Sequence, residues 1–444
     1  MRILAALILM GSVSAPALAQ GAEPQGTRAS PSQDTLGEAV ASAIGNNPTL
    51  MAERKGRASA DEALIQAQAG LGPQINLQGS VNTQYQQIGR TFTTPVGTFP
   101  LDGSNQRGNI SIEARQSLWS GGSLTAQRDL ARAGVDESQA RLIGVEQNLV
   151  LNVVSAYMDV RYAESELAIR ESNVDALREQ VRAAKDRFDV GDVTRTDVAQ
   201  AEAREASSQA QLASARSRLA GVRAVYEQIV GVPPVQLAEP PPPPPLPGTL
   251  EQALSIAKAS NPNIVAARAR ETQGDLSVDV AKGRLGPRLD LVGSAGLVET
   301  YQDESFRDTN FVAGLEFSFP LFDSGLLESQ TRGAQLDADR ARYERMAIER
   351  QVSAQVTSAW HQVVAVREEI RASASEVAAA EIALEGAKQE LVVGERITLD
   401  VLDQEQELLA ARLGLIDAQR AAYVAAHELL AAMGDLKPEL VAGR

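Results

Sequence analysis

The sequence predicts an α+β fold built from two tandem repeats, each a β-hairpin carried on long coiled-coil helices. Three observations predict it. Residue pairs recur at fixed offsets, apolar residues in the long proline-free stretches follow a 3.5-residue period, and short segments between them alternate with period two.

Taken in chain order, residues 1–19 read as a secretory signal. Arg2 is a basic start, an apolar run follows, and Ala17-Leu18-Ala19 before Gln20 has the small-x-small form of a cleavage site. Its removal takes one positive charge from a formal net charge of -15, leaving -16. Residues 20–34 are expected to be a flexible N-terminus. Beyond Gln20 no window holds 18 uninterrupted apolar residues, so entry into a membrane would be by strands.

The repeat begins at Thr35. Thr35-Leu36, Asn47-Pro48, Leu71-Gly72-Pro73 and Gly79-Ser80 recur 214 residues later as Thr249-Leu250, Asn261-Pro262, Leu285-Gly286-Pro287 and Gly293-Ser294. Leu118-Trp119, Val190-Gly191-Asp192, Asp197-Val198 and Gly231 recur 203 residues later as Leu321-Phe322, Val393-Gly394-Glu395, Asp400-Val401 and Gly434. The first repeat is therefore 35–231 and the second 249–434, with the 11-residue length difference confined between Ser80 and Leu118. Between them, 232–248 is proline-rich, with Pro240 to Pro245 in one run, and reads as a stiff extended strap. Residues 435–444 form a C-terminal tail.

Each repeat opens with a leading helix, 35–69 in the first. Proline is absent from Leu101 to Val232 and from Leu321 to Lys437. In those stretches Leu149, Val153, Ala156, Val160, Ala163 and Leu167, and likewise Val352, Val356, Ala359, Val363, Val366 and Ile370, step by four and three. That spacing predicts supercoiled long helices over 123–188 and 325–391, with returning helices over 194–230 and 398–432.

Four strands are expected at about 74–86, 109–118, 288–298 and 310–319. Ile75, Leu77 and Val81 oppose Asn76, Gln78 and Ser80, and Phe311, Leu315 and Phe317 oppose Glu316 and Ser318. Ten of the chain's 17 aromatic residues lie in 85–119 and 301–322, where girdles of an outer-membrane barrel would place them. Four strands cannot close a lipid-facing barrel, because free edges would leave backbone groups unpaired in hydrocarbon. Eight strands from a dimer would be plugged by side chains, so three copies are the smallest number that leaves a hole. The extra residues of the first repeat would fall in its hairpin loop, 87–108, outside the cell.

Composition narrows the function. There is no cysteine, two histidines and no nucleophile elbow, phosphate loop or enzymatic carboxylate pair, so no enzyme, cofactor or metal is expected. The acidic excess disfavours a nucleic-acid partner. His361 and His427 lie far apart and are expected to pack or face solvent. A periplasmic coiled-coil adaptor is the competing class, but it would carry one hairpin between compact β domains and no amphipathic barrel strands.

At this point the chain resembles the TolC family of outer-membrane channel-tunnels, from Thr35 to about Leu436. The marks are Arg187-Phe188-Asp189-Val190-Gly191-Asp192-Val193-Thr194-Arg195-Thr196-Asp197-Val198 and Val393-Gly394-Glu395-Arg396-Ile397-Thr398-Leu399-Asp400-Val401-Leu402-Asp403, which are similar to the family's helix tips. The resemblance implies an outer-membrane homotrimer, with a 12-stranded β-barrel in outer-membrane lipid and an α-helical tunnel in the periplasm. It implies an exit duct of a tripartite efflux pump or type I secretion system, conducting small compounds or unfolded polypeptide. Its partners would be a periplasmic adaptor (membrane fusion) protein and an inner-membrane RND or ABC transporter. The adaptor would contact the helix tips Val190, Gly191, Asp192, Val393, Gly394 and Glu395. A periplasmic gate or filter would be formed by Asp197 with Arg396, tying neighbouring coils, and by Asp400 and Asp403 as constricting acidic rings. Leu391 departs from the family pattern, where relatives carry a tyrosine. A plainer role stays open: Thr194 and Asp197 also fit a capping box, Asp400 a first-turn charge, and Gly191 and Gly394 left-handed helix ends.

Overall fold

The structure, a computed structural model, describes residues 34–86, 91–100, 103–301 and 305–441. The expected signal segment 1–19, residues 20–33, 87–90, 101–102 and 302–304, and residues 442–444 of the expected tail lie outside them.

Thr35 opens α1 (Leu36–Asn46) by a reciprocal cap. Its Oγ1 accepts from the Glu38 amide at 3.3 Å, and Glu38 Oε2 accepts from the Thr35 amide at 2.9 Å. The leading helix expected in one piece breaks after Asn46, and α2 (Pro48–Ala69) starts anew. The physical reason is local: Pro48 has no amide to donate and forces Asn47 out of helical geometry, to φ -68° and ψ 120°. The freed Asn47 side chain then caps Thr49 and Leu50 at 3.0 and 3.2 Å.

The chain continues through β1 (Gln74–Gln86), a small hairpin β2 (Thr91–Thr94) and β3 (Gly97–Pro100), and β4 (Gly103–Ser120). Two long helices follow, α3 (Ser123–Asp189) and α4 (Arg195–Val230). The second repeat reproduces this order with α5 (Leu250–Ser260), α6 (Pro262–Gly283), β5 (Arg288–Tyr301), β6 (Ser305–Ser318), α7 (Leu326–Val392) and α8 (Thr398–Met433). A short α9 (Pro438–Val441) closes the described chain, and Leu436 and Val441 are buried. The tail is thus docked, with α9 against α1.

Hairpin β2–β3, which alternation did not mark, takes up the extra length of the first repeat, since β5 and β6 are separated by three residues only. β1 coincides with the expected 74–86, whereas β4, β5 and β6 run toward the hairpin ends past the segments that alternation marks. Beyond the apolar rows both faces turn polar, so the period-two signal fades while backbone pairing continues.

β1, β4, β5 and β6 form one antiparallel sheet in that order. Its register lines up Leu77, Ile112, Ala295 and Phe311 in one row across all four strands. Asn76, Glu113, Ser294 and Val312 form the neighbouring row on the opposite face.

α3 and α7, each 67 residues, extend roughly 100 Å at about 1.5 Å per residue. α2 and α4 lie along α3, while α6 and α8 lie along α7 and also reach α3, which joins the repeats. The main core sits where these helices cross, around Leu36, Leu50, Tyr157, Tyr226, Leu429 and Met433. The proline-rich strap is anchored there too. The Asp34 amide donates to Gln236 O at 2.9 Å, and Tyr157 Oη donates to Ala238 O at 2.6 Å. Among the described residues no helix is long and apolar enough to cross a membrane.

Candidate functional site

Two regions carry chemistry: the sheet surface and the helix tips at the other end of α3 and α7. On the sheet, Leu77 is 72% exposed and Phe311 79%, and Ile75, Val81, Ile112, Leu315 and Phe317 of the same face are exposed as well. An aligned apolar face of this extent has no cover in the single chain. A bulge between Ser117 and Trp119 shifts the register and sets Trp119 opposite Leu289, in the row of Phe317. The other face is polar and cross-linked. Arg115 donates to Asp290 Oδ2 and Glu316 Oε2, both at 2.9 Å, and Gln78 Nε2 donates to Glu113 at 3.3 Å.

At the tips, the turns from α3 to α4 and from α7 to α8 have one geometry. Val190 and Val393 sit near φ -90° and ψ 0°, and Gly191 and Gly394 follow at φ +83° and +81°. The amides of Asp192 and Glu395 donate back to Arg187 O and Glu390 O at 2.9 Å, so each helix closes on a left-handed glycine. Val190, Val392, Val393 and Ile397 are exposed there, leaving an apolar rim on a charged end.

The four acidic and basic residues singled out for the mouth lie within about a turn or two of those tips, each with its own partner. Asp197 Oδ2 accepts from the Thr194 amide and hydroxyl, both at 2.8 Å, and Thr194 Oγ1 accepts in return from the Asp197 amide. The Thr194 backbone bond, followed by that of its hydroxyl, holds the Asp197 carboxyl below the usual aspartate value. Arg396 is paired with Glu390, so the single chain does not bring Asp197 and Arg396 together. Asp400 Oδ2 accepts from the Ile397 amide at 3.4 Å, its one partner among the described residues. Asp403 Oδ1 accepts from Arg204 Nη2 at 2.9 Å, and the same guanidinium donates to Gln406. Leu391 packs against Leu384, Ala387, Val401 and Leu408, where a hydroxyl is absent.

Sequence reasoning missed Arg204 and a buried group beside it. Glu405 is 7% exposed between the two coils; its Oε1 faces Gln180 at 3.4 Å and Lys388 at 3.5 Å, and its Oε2 has no partner. A glutamate lying between Val401-Leu402 and Leu408 on an apolar stripe was the available signal. Arg204 offered none, because its partner is 199 residues away. Of the histidines, His361 is exposed. His427 is fully buried, bonded through Nδ1 to Tyr423 O at 2.8 Å, with Nε2 unpartnered. Among the described residues no group of acidic or histidine side chains is arranged to hold a metal.

Comparison with known proteins agrees with this geometry. The family model described as outer membrane efflux protein matches residues 39–230 and 253–435, the two repeats without the strap. Outer membrane efflux protein BepC of Brucella suis biovar 1 (strain 1330) is 34% identical over 402 residues, covering 90% of this chain and 85% of the relative. Outer membrane protein TolC of Escherichia coli (strain K12) is 25% identical, covering 89% and 81%. Among solved structures, the outer-membrane channel OprN superposes with a TM-score of 0.79 at 21% identity, over 90% of this chain and 89% of that one.

Proposed function

Because the chain belongs to the outer membrane efflux protein family, we propose that three copies close into a duct whose strands cross the outer membrane and whose helix tips form a gated periplasmic mouth. The protein is an outer-membrane efflux channel of the tripartite efflux and type I secretion class, reaching into the periplasm, and it is not an enzyme.

The observation that carries the trimer is the sheet. β1 and β6 are its outer strands, and each leaves one edge without a ladder partner among the described residues. In hydrocarbon such edges must be paired, and β6 of one copy beside β1 of the next continues the antiparallel order. Three copies give twelve strands, wide enough to leave the polar face around water.

The helices support the same closure. Ala133 and Ala140 of α3 are 3% and 1% exposed, on the helix that α6 covers. The corresponding α7 residues, 203 positions on, are Leu336 and Tyr343, and both are 70% exposed. The repeat supplies no third leading helix for them, so α2 of a neighbouring copy takes that place, as α6 does on α3.

In the closed ring, the tips Val190, Gly191, Asp192, Val393, Gly394 and Glu395 present their apolar rim to a periplasmic adaptor. An inner-membrane RND or ABC transporter supplies the energy. Asp197, Arg396, Asp400 and Asp403 each occur three times around the axis, and the excess of carboxylates over guanidinium leaves the mouth acidic, favouring cations. Purified protein in a planar bilayer is expected to conduct, with a preference for cations that Asp400→Ala or Asp403→Ala weakens. A protein that assembles but passes no current would defeat this function.

A further inference from the structure

Resting on the gated-duct reading above, we infer that Arg204 is a positioning residue of the mouth: it fastens α8 to α4 within one copy, which makes Asp403 a tether and leaves Asp400 as the free charge. The contact joins two different coils. Arg204 comes from α4, and its guanidinium reaches Asp403 and Gln406 one turn apart on α8.

The other charged groups of this seam have partners elsewhere. Arg170 is held by Glu166 at 2.8 Å, Lys185 by Glu202 at 2.8 Å, and Glu205 by Arg178 at 3.5 Å. Lys388 lies 3.5 Å from Glu405. Asp403 is therefore the carboxylate left for Arg204. Asp400, one turn nearer the tip, meets no guanidinium or ammonium among the described residues.

The repeat isolates the tie. Shifting by 203 residues carries Arg204 to Glu407 and brings Asp403 back to Gln200. At the corresponding seam, between α8 of one copy and α4 of the next, a carboxylate would face an amide, with no opposite charges to attract. The fastening exists once per copy, inside the protomer and not between protomers. Beside it the seam is loosely filled: a cavity of about 310 Å³ is lined by Arg204, Leu402, Glu405 and Gln406, together with Asn173 and Ser208. On the tip side of the pair, Leu402 packs with Leu177, Val181, Ala184 and Ala201, so the ion pair fastens the seam between this apolar cluster and the cavity.

The test uses the full-length protein in planar bilayers. Arg204→Gln and Asp403→Asn should each raise resting conductance by a similar factor, roughly 2- to 5-fold for each exposed pair lost. The double variant should add nothing further. The exchange Arg204→Asp with Asp403→Arg should return conductance toward the parent value, and Arg204→Lys should remain close to it. Asp400→Asn, which breaks no ion pair in this seam, should lower cation selectivity. Because the pair is solvent-exposed, high salt should raise the parent's leak toward that of Arg204→Gln. Parent-like conductance of Arg204→Gln, or an exchange that rescues nothing, would overturn the inference while leaving the duct intact. Should Arg204→Gln fail to assemble, the Arg204→Lys and salt experiments decide the matter. A silent parent protein would count against the duct itself.

Discussion

Gly434 and Gly191 have almost the same backbone, φ +78° and +83°, yet an added methyl group should affect them very differently. A Cβ on Gly434 would lie 2.5 Å from Asn261 Cα and 2.6 Å from Ser260 O, backbone atoms at the junction of α5 and α6. The end of α8 has little freedom to retreat, since Gly434 O accepts from the buried Gln147 Nε2 at 2.8 Å. A Cβ on Gly191 would meet nothing within 4 Å. Both alanine variants incur about 1–2 kcal/mol for a left-handed L-residue. Gly434→Ala adds about 1–3 kcal/mol of overpacking, for a total of about 2–5 kcal/mol. With an unfolding entropy of about 2.1 cal/mol/K per residue over roughly 400 residues, each kcal/mol lowers the melting midpoint by about 1 °C. Thermal unfolding in detergent, followed by helical circular dichroism, should show Gly434→Ala melting about 2–6 °C below the parent and Gly191→Ala about 1–2 °C below. Equal shifts would refute the packing argument, because only strain is shared.

Two further outcomes follow from the same structure. Leu77→Arg, in the middle of the outward apolar row, should cost about 2–4 kcal/mol at the bilayer midplane and reduce the yield of lipid-inserted oligomer, whereas Asn76→Arg on the polar face should insert normally; insertion is read by flotation with liposomes. Burial holds the His427 imidazole below its ordinary value of 6.5, outweighing its bond to Tyr423 O. The unfolded chain therefore takes up a proton first, so stability is complete above about pH 6.5 and falls as pH drops toward the lowered folded value. The melting midpoint should decline between pH 7.5 and 5.5, and His427→Phe should flatten that decline.

Much of the architecture was legible because it is written in neighbouring residues. The fixed offsets of 214 and 203 expose the repeat without any contact being known. The step of four and three from Leu149 onward needs only the helical pitch, and the alternation at Ile75 and Leu77 only the pleat of a strand. Asn47-Pro48 was equally local: a proline one residue after a good cap is a break, and the helix expected over 35–69 passed over it. The candidate mouth was legible only in part. Its turns follow from glycine and the Thr194–Asp197 cap from its three-residue spacing, but the partners of Arg396 and Asp403 follow from no motif.

What the sequence alone determined are properties set within a turn or a pleat: two copies, long coils, amphipathic strands, capped tips, and edges that require more than one chain. Tertiary structure decided what depends on how separate elements meet. It placed Trp119 beside Leu289 by a bulge, built the β2–β3 hairpin on the longer loop, and set Arg396 on Glu390 instead of Asp197. It also joined Arg204 to Asp403 across 199 residues. The rotation of one helix against another selects such pairs. That rotation is set by the packing of the whole core, so no short stretch of chain encodes it.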